Sequence, residues 1–201
     1  MRDTYNTIIT PTEEILYKEK GSKFYAYAFP MTDSNEVSEL IAPLRKKHPK
    51  ANHHCYAWKI GPGENNYRAN DDGEPGHSAG DPILGQINAY DLSDILVVVT
   101  RIFGGTKLGV GGLIHAYRES AQLALEQAQI VERVITNDIK LNFEYPQMSQ
   151  VMRFIDEHSY QIKKQELTAH CNIVIAVPLN EIEQAMNKIK TMYPVQAKMM
   201  E

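Results

Sequence analysis

Residues 95–102 read ILVVVTRI, and this run constrains the fold more than any other feature of the chain. Its aliphatic and β-branched residues do not alternate with polar ones, so the segment reads as a strand covered on both faces. The stretch that follows, FGGTKLGVGGL from Phe103 to Leu113, holds five glycines among the nine residues from Gly104 to Gly112, with Lys107 among them. A helical pattern comes next, Leu113 to Ala128. Leu113, Ala116, Tyr117, Ser120, Ala124 and Ala128 form a small-residue face, and His115, Arg118, Glu119, Gln122 and Glu126 form the polar side. Glycine costs conformational entropy. A loop this rich in it implies an unusual backbone path, close packing, or a ligand that approaches the main chain.

The segments around this centre alternate between strand and helix patterns. EEILYKEKGSKFYAYAF suggests a hairpin turning at Lys20-Gly21. Ser34 to His48 has helical spacing, with Ser34 as the expected N-cap and Pro43 limiting regularity. HHCYAWKIG reads as a strand, residues 61–82 as a long turn-rich loop, and Asp81-Pro82 as the start of a helix to about Tyr90. Past Val131 the order is strand, helix, strand, strand, helix, strand, the ferredoxin-like βαββαβ arrangement. The expectation is an α+β protein of two domains, residues 1–133 and 134–201.

Composition narrows the function classes. A 43% hydrophobic fraction and a formal charge of −4 suit a globular protein and argue against a broadly basic nucleic-acid binder, leaving room for a local basic patch. The longest apolar run is strand-sized, so no membrane association is expected, and the N-terminus lacks a signal-peptide pattern. Cys55 and Cys171 are far apart without CxxC spacing, and a cytoplasmic location follows as the default.

The glycine loop points amides outward at a helix start, where the dipole favours an anion. The residues of such a site would be Arg101, Gly104, Gly105, Thr106, Lys107, Gly109, Gly111, Gly112 and Arg118. Neither GxxxxGK[ST] nor GxGxxG fits, so a nucleotide-hydrolysing loop is not indicated. The structural alternative is that the glycines serve a tight path and close helix–sheet contact. A second cluster, Asp71, Asp72, Glu74 and Asp81, offers oxygen ligands for a divalent ion, and His77 and Ser78 suggest base and nucleophile. The spacing matches no EF-hand, and Asp-Asp-Gly is a common turn. His53, His54 and Cys55 divide between two faces of a strand, and His170-Cys171 lies in the other domain, so no zinc site and no cofactor are expected. Trp58, Tyr56 and Tyr67 are of a type that stacks bases, although strand aromatics more often serve a core.

GSKFYAYAFP (21–30), HHCYAWKIG (53–61), NDDGEPGHSAGDPIL (70–84) and ILVVVTRIFGGTKLGVGGLIHAY (95–117) together resemble the IMPACT family, most of all its bacterial YigZ-type branch. The resemblance implies a ribosomal-protein-like N-terminal domain similar to domain IV of elongation factor G, with a left-handed βαβ crossover. It implies a C-terminal domain similar to domain V of that factor. Eukaryotic members resemble regulators of the response to amino-acid starvation that carry a further partner-binding domain, so kinase regulation is not carried over. What is carried over is contact with RNA or the ribosome, or with a protein partner in translation. The sequence departs from the family pattern at EPGHSAG, where EPSGTAG is expected, and at His115 and Arg118. The leading expectation is a non-enzymatic protein that binds RNA or ribosomes and modulates translation. A metal-assisted hydrolase using residues 71–81 and a protein-interaction module stand as the alternatives.

Overall fold

In the computed structural model, which describes residues 3–63 and 65–200, the run 95–102 is the middle strand of a five-stranded antiparallel sheet. The strands of that sheet are β2 (Ile15–Glu19), β3 (Ser22–Pro30), β4 (His53–Lys59), β5 (Tyr67–Asn70) and β6 (Ile95–Ile102), in the order β2-β3-β6-β4-β5. Residues 95–101 of β6 are all buried, because helices lie on both faces. Ile95, Val97 and Val99 pack with α2 (Gly80–Ala89) and α3 (Gly109–Glu126). Leu96 and Val98 pack with Val37, Ile41 and Leu44 of α1 (Val37–Lys47). Each aliphatic side chain so enclosed contributes about 1.5–3 kcal/mol. The sheet contains two βαβ units, β3–α1–β4, whose strands flank β6, and β5–α2–β6, whose strands flank β4. The glycine loop follows β6 and lies outside both crossovers. It joins β6 to α3, and the following strand β7 (Ile130–Val134) pairs with β1 (Thr4–Ile8) in a separate two-stranded sheet.

The chain divides into two compact units. One spans Tyr5–Arg133; the other runs from Val134 onward and includes Asp3 and Thr4. In the second unit β8 (Thr136–Glu144), α4 (Met148–His158), β9 (Gln161–Glu166), β10 (His170–Pro178), α5 (Ile182–Lys190) and β11 (Gln196–Met199) form a βαββαβ unit. Its antiparallel sheet has the order β11-β8-β10-β9. Ile139, Leu141, Phe143, Ile173, Ile175 and Val177 face a core shared with Phe154 and Ile155 of α4 and Ala185 and Ile189 of α5. Strand alternation turns Lys140, Asn142 and Asn172 to the opposite face.

Four local expectations change. The helix near residue 34 is capped by Asp33, whose carboxylate accepts from Asn35 N while Glu36 closes a capping box; Ser34 lies inside the first turn. The stretch 61–82 contains strand β5, with Glu64 outside the described residues. Helix α2 begins at Gly80 with Ala79 at the N-cap position, so Asp81 does not cap it. Helix α3 begins at Gly109, so three of the loop glycines belong to its first turn.

Candidate nucleic-acid interface

The acidic loop is held by the bonds its carboxylates accept. Asp71 Oδ1 accepts from the N–H groups of Ala79 (2.9 Å) and Gly80 (2.8 Å), and Oδ2 from His77 N (2.9 Å). It thus supplies from nine residues upstream the cap that α2 lacks locally. Burial acts to raise the Asp71 pKa, but the bonds from Gly80, His77 and Ala79 outweigh it and the net shift is downward. Asp72 pairs with Arg45 (3.1 Å) and accepts from His54 N (2.7 Å). His77 is 87% exposed and pairs with Asp81 at 2.7 Å, and that bond raises its pKa. Ser78 Oγ donates to Pro75 O and is buried. The sequence reading grouped Asp71, Asp72, Glu74 and His77 as possible catalytic residues. In the structure Asp71 caps α2, Asp72 and Glu74 are ion-paired with arginines, and His77 is paired with Asp81. Among the described residues no group of three His, Cys, Asp or Glu side chains is arranged to hold a metal ion.

Glu74 and Arg101 make the central correction. Arg101 was expected to face an anion, yet its side chain is 7% exposed and its Nη1 donates to Glu74 Oε1 at 2.7 Å. Tyr117 Oη donates to the same oxygen at 2.8 Å, and the Cys55 thiol stands 3.3 Å from that hydroxyl. Burial pushes the pKa values of Tyr117 and Cys55 up, so both stay protonated donors. On the other side, Ser22 Oγ lies 3.4 Å from Arg101 Nη2 and accepts from Gly104 N at 3.2 Å. One polar network thus joins β3, the glycine loop, the acidic loop and α3.

The glycines divide by role. A Cβ on Gly104 would stand 1.9 Å from the Gly21 carbonyl carbon, so Gly104 permits two backbones to touch, and its N–H is used by Ser22 rather than left bare. Gly105 (φ +88°) and Gly109 (φ +72°) adopt left-handed conformations with open space around them. Gly111 also has open space, while Gly112 packs near Leu108. Thr106, Lys107, Gly109, Val110, Gly111 and Arg118 are exposed. The α3 N-terminus has no side-chain cap and no acid in its first turn, which leaves its first amides and positive dipole end open. Gly111, His115, Arg118 and Gln122 follow the three- and four-residue spacing of one helical stripe. A cleft of about 250 Å³ at the helix start, off that stripe, is lined by Glu74, Pro75, Arg101, Phe103, Lys107, Val110 and Leu113, among others. Phe103 is 51% exposed at its edge, and the Arg101 guanidinium lies 5.6 Å from its ring centre.

The remaining residues of interest are dispersed. Trp58 is buried against α1 and Tyr56 packs at its margin, while Tyr67 is exposed on the edge strand β5. His53 Nδ1 meets Asp72 O, and His54 Nδ1 meets Thr100 Oγ1. Cys55 belongs to the core of the first unit and Cys171 to that of the second. Ser22, Phe103 and Tyr117 were not among the expected site residues. Gly21-Ser22 flanks an expected turn, and Phe103 is an apolar residue at a strand exit; neither position reveals its partner from spacing alone.

Fold and site together define an α+β protein of two units, with an open, basic-flanked helix start at the exit of its middle strand. The Impact N-terminal domain profile matches residues 20–125. IMPACT family member YvyE of Bacillus subtilis is 34% identical over 164 residues, covering 82% of this chain and 75% of its own. IMPACT family member YigZ of Escherichia coli is 30% identical over 184 residues, covering 90% of this chain and 88% of its own. The chain belongs to the IMPACT family. A crystal structure of a hypothetical protein superposes with a TM-score of 0.79 at 25% identity, over 100% of this chain and 99% of that one.

Proposed function

We propose that the protein binds RNA or ribosomes through the start of α3 and acts in translation in the cytoplasm, without catalysis of its own. The observation that carries the reading is the uncapped, acid-free N-terminus of an 18-residue helix with Lys107 before it and Arg118 on its exposed stripe. A phosphate there would receive hydrogen bonds from amides and a favourable dipole, with Lys107 beside it and Arg118, about 13 Å further along the helix, placed for a neighbouring phosphate. Family membership supports the link to translation, and the proposed kinship of the two units with domains IV and V of elongation factor G is consistent with it. No described helix is long and apolar enough to cross a membrane. The hydrolase alternative would need the residue 71–81 carboxylates, which are already engaged. A protein partner in translation is the remaining alternative, and nuclease treatment separates it, because a protein contact survives loss of the RNA. The direct test is RNA binding by Lys107→Glu/Arg118→Glu. The variant should keep its thermal midpoint, lose most affinity and show a shallower salt dependence, by about 0.7 per phosphate contact removed. Unchanged affinity would refute the site.

A further inference from the structure

The cleft at the start of α3 combines apolar walls with two unmet polar atoms. Pro75, Phe103, Leu108, Val110 and Leu113 supply the walls. Glu74 and Arg101, the buried ion pair, line it as well. Both bonds that the Glu74 side chain accepts, from Arg101 and from Tyr117, fall on Oε1, so Oε2 accepts none among the described residues. Arg101 directs Nη1 to Glu74 and Nη2 to Ser22, while its buried Nε has no acceptor among the described residues. Buried polar atoms without a partner are rare in folded proteins, and this one belongs to a side chain that is more than nine-tenths buried and lines the cleft. The same guanidinium lies over the ring of Phe103, which is half exposed. Of the charged residues lining the cleft, Glu74 and Arg101 neutralise each other, and Lys107 adds a positive charge.

We infer that this cleft holds one unstacked base of a single-stranded RNA whose phosphate lies on the first amides of α3. The inference rests on the proposed function and names what that site reads beyond phosphate. Leu108, Gly109 and Val110 are the N-cap and first two residues of α3 and also line the cleft, so base and phosphate sites are continuous. At about 250 Å³ the cleft is smaller than the roughly 300–1,000 Å³ that takes a drug-sized ligand, which suits a single ring system. Bases splayed from a single strand stack on aromatic side chains and bond through their Watson–Crick edges. Each such edge sets a donor beside an acceptor, the complement of Glu74 Oε2 and Arg101 Nε. An apolar protein side chain would fill the walls and leave both atoms unmet. A phosphate inside the cleft would face apolar walls and the Glu74 carboxylate.

The test is fluorescence anisotropy with the full chain, using a fluorescein-labelled 12-nucleotide single-stranded RNA and an abasic strand of equal length, a ribose–phosphate chain without bases. Wild type should bind the RNA about tenfold more tightly than the abasic strand, the scale of one base–aromatic contact. Phe103→Ala should lose about that tenfold on the RNA and bind the abasic strand as wild type does. Its salt slope should not change, since no phosphate contact is removed. Phe103→Trp should keep RNA affinity, and its added indole should be quenched by the RNA but not by the abasic strand, over a constant background from the buried Trp58. That readout decides the matter even if Phe103→Ala does not fold. Equal wild-type affinity for the two strands, unchanged RNA affinity in Phe103→Ala, or an indole that the RNA leaves unquenched would overturn the inference. If Lys107→Glu/Arg118→Glu then still weakens binding of both strands, the phosphate site at α3 is left standing. Absence of wild-type binding to either strand would overturn both readings.

Discussion

Glu74→Gln tests whether the acidic loop is architecture or chemistry. The substitution keeps the shape and leaves an oxygen that accepts from the Tyr117 hydroxyl, so the chief change is loss of the negative charge facing Arg101. Both partners are more than nine-tenths buried and lie 2.7 Å apart. Removing one member of such a pair leaves a buried, uncompensated charge and costs about 3–5 kcal/mol. Domains of ordinary stability have about 5–15 kcal/mol in total, so the variant should unfold at a much lower urea concentration. Trp58, the single tryptophan of the chain, is buried in the same unit and reports the transition by fluorescence. Replacing both partners, Glu74→Leu with Arg101→Met, should cost less than the sum of the single changes, because the pair's desolvation cost disappears with it. A Glu74→Gln loss below about 1 kcal/mol, or additive single and double variants, would refute the reasoning and return Glu74 to the hydrolase alternative.

Other expectations follow from the same contacts. Gly104→Ala should destabilise by about 1–3 kcal/mol, because its Cβ meets the Gly21 backbone, while Gly111→Ala, in open space, should stabilise α3 by about 0.5–1 kcal/mol yet weaken RNA binding if the amides meet phosphate; paired thermal and binding measurements check both. Asp71→Asn removes a charged acceptor of three N–H bonds at the start of α2 and should cost about 1–2 kcal/mol, seen as increased amide exchange at residues 77–80. Burial, and next the Arg45 charge, lower the His54 pKa from 6.5 to about 4. This group's contribution is therefore present above pH 6.5 and lost as pH falls toward 4, by about 3 kcal/mol across the window. His54→Gln should flatten that part of the urea-midpoint profile, and an unchanged profile would contradict the assignment.

Periodicity made the architecture legible. The unbroken apolar run of β6 implied cover on both faces, and the switches of period past Val131 implied a βαββαβ unit; both follow from which side chains must leave water. Long-range polar pairing was not legible. Arg101 looked like a phosphate ligand because it precedes the glycine loop, but its partner Glu74 lies 27 residues away in the chain. Asp81 looked like a cap by adjacency, whereas Asp71 reaches the same amides because the loop folds back. Gly104 and Gly111 are alike in sequence, and only the proximity of Gly21 separates a packing glycine from an open one. Lys107, Gly109, Gly111 and Arg118 are exposed, and local pattern sufficed to expect that exposure because it needs no long-range partner.

The most direct measurement of the central claim is sedimentation of the full chain with ribosomes at low and at high salt, for wild type and for Lys107→Glu/Arg118→Glu. The account predicts that the wild type co-sediments at low salt and dissociates as salt rises, and that the variant, equally folded, stays at the top of the gradient. A wild type that never sediments with ribosomes, or a variant that follows them as well as the wild type does, would contradict it.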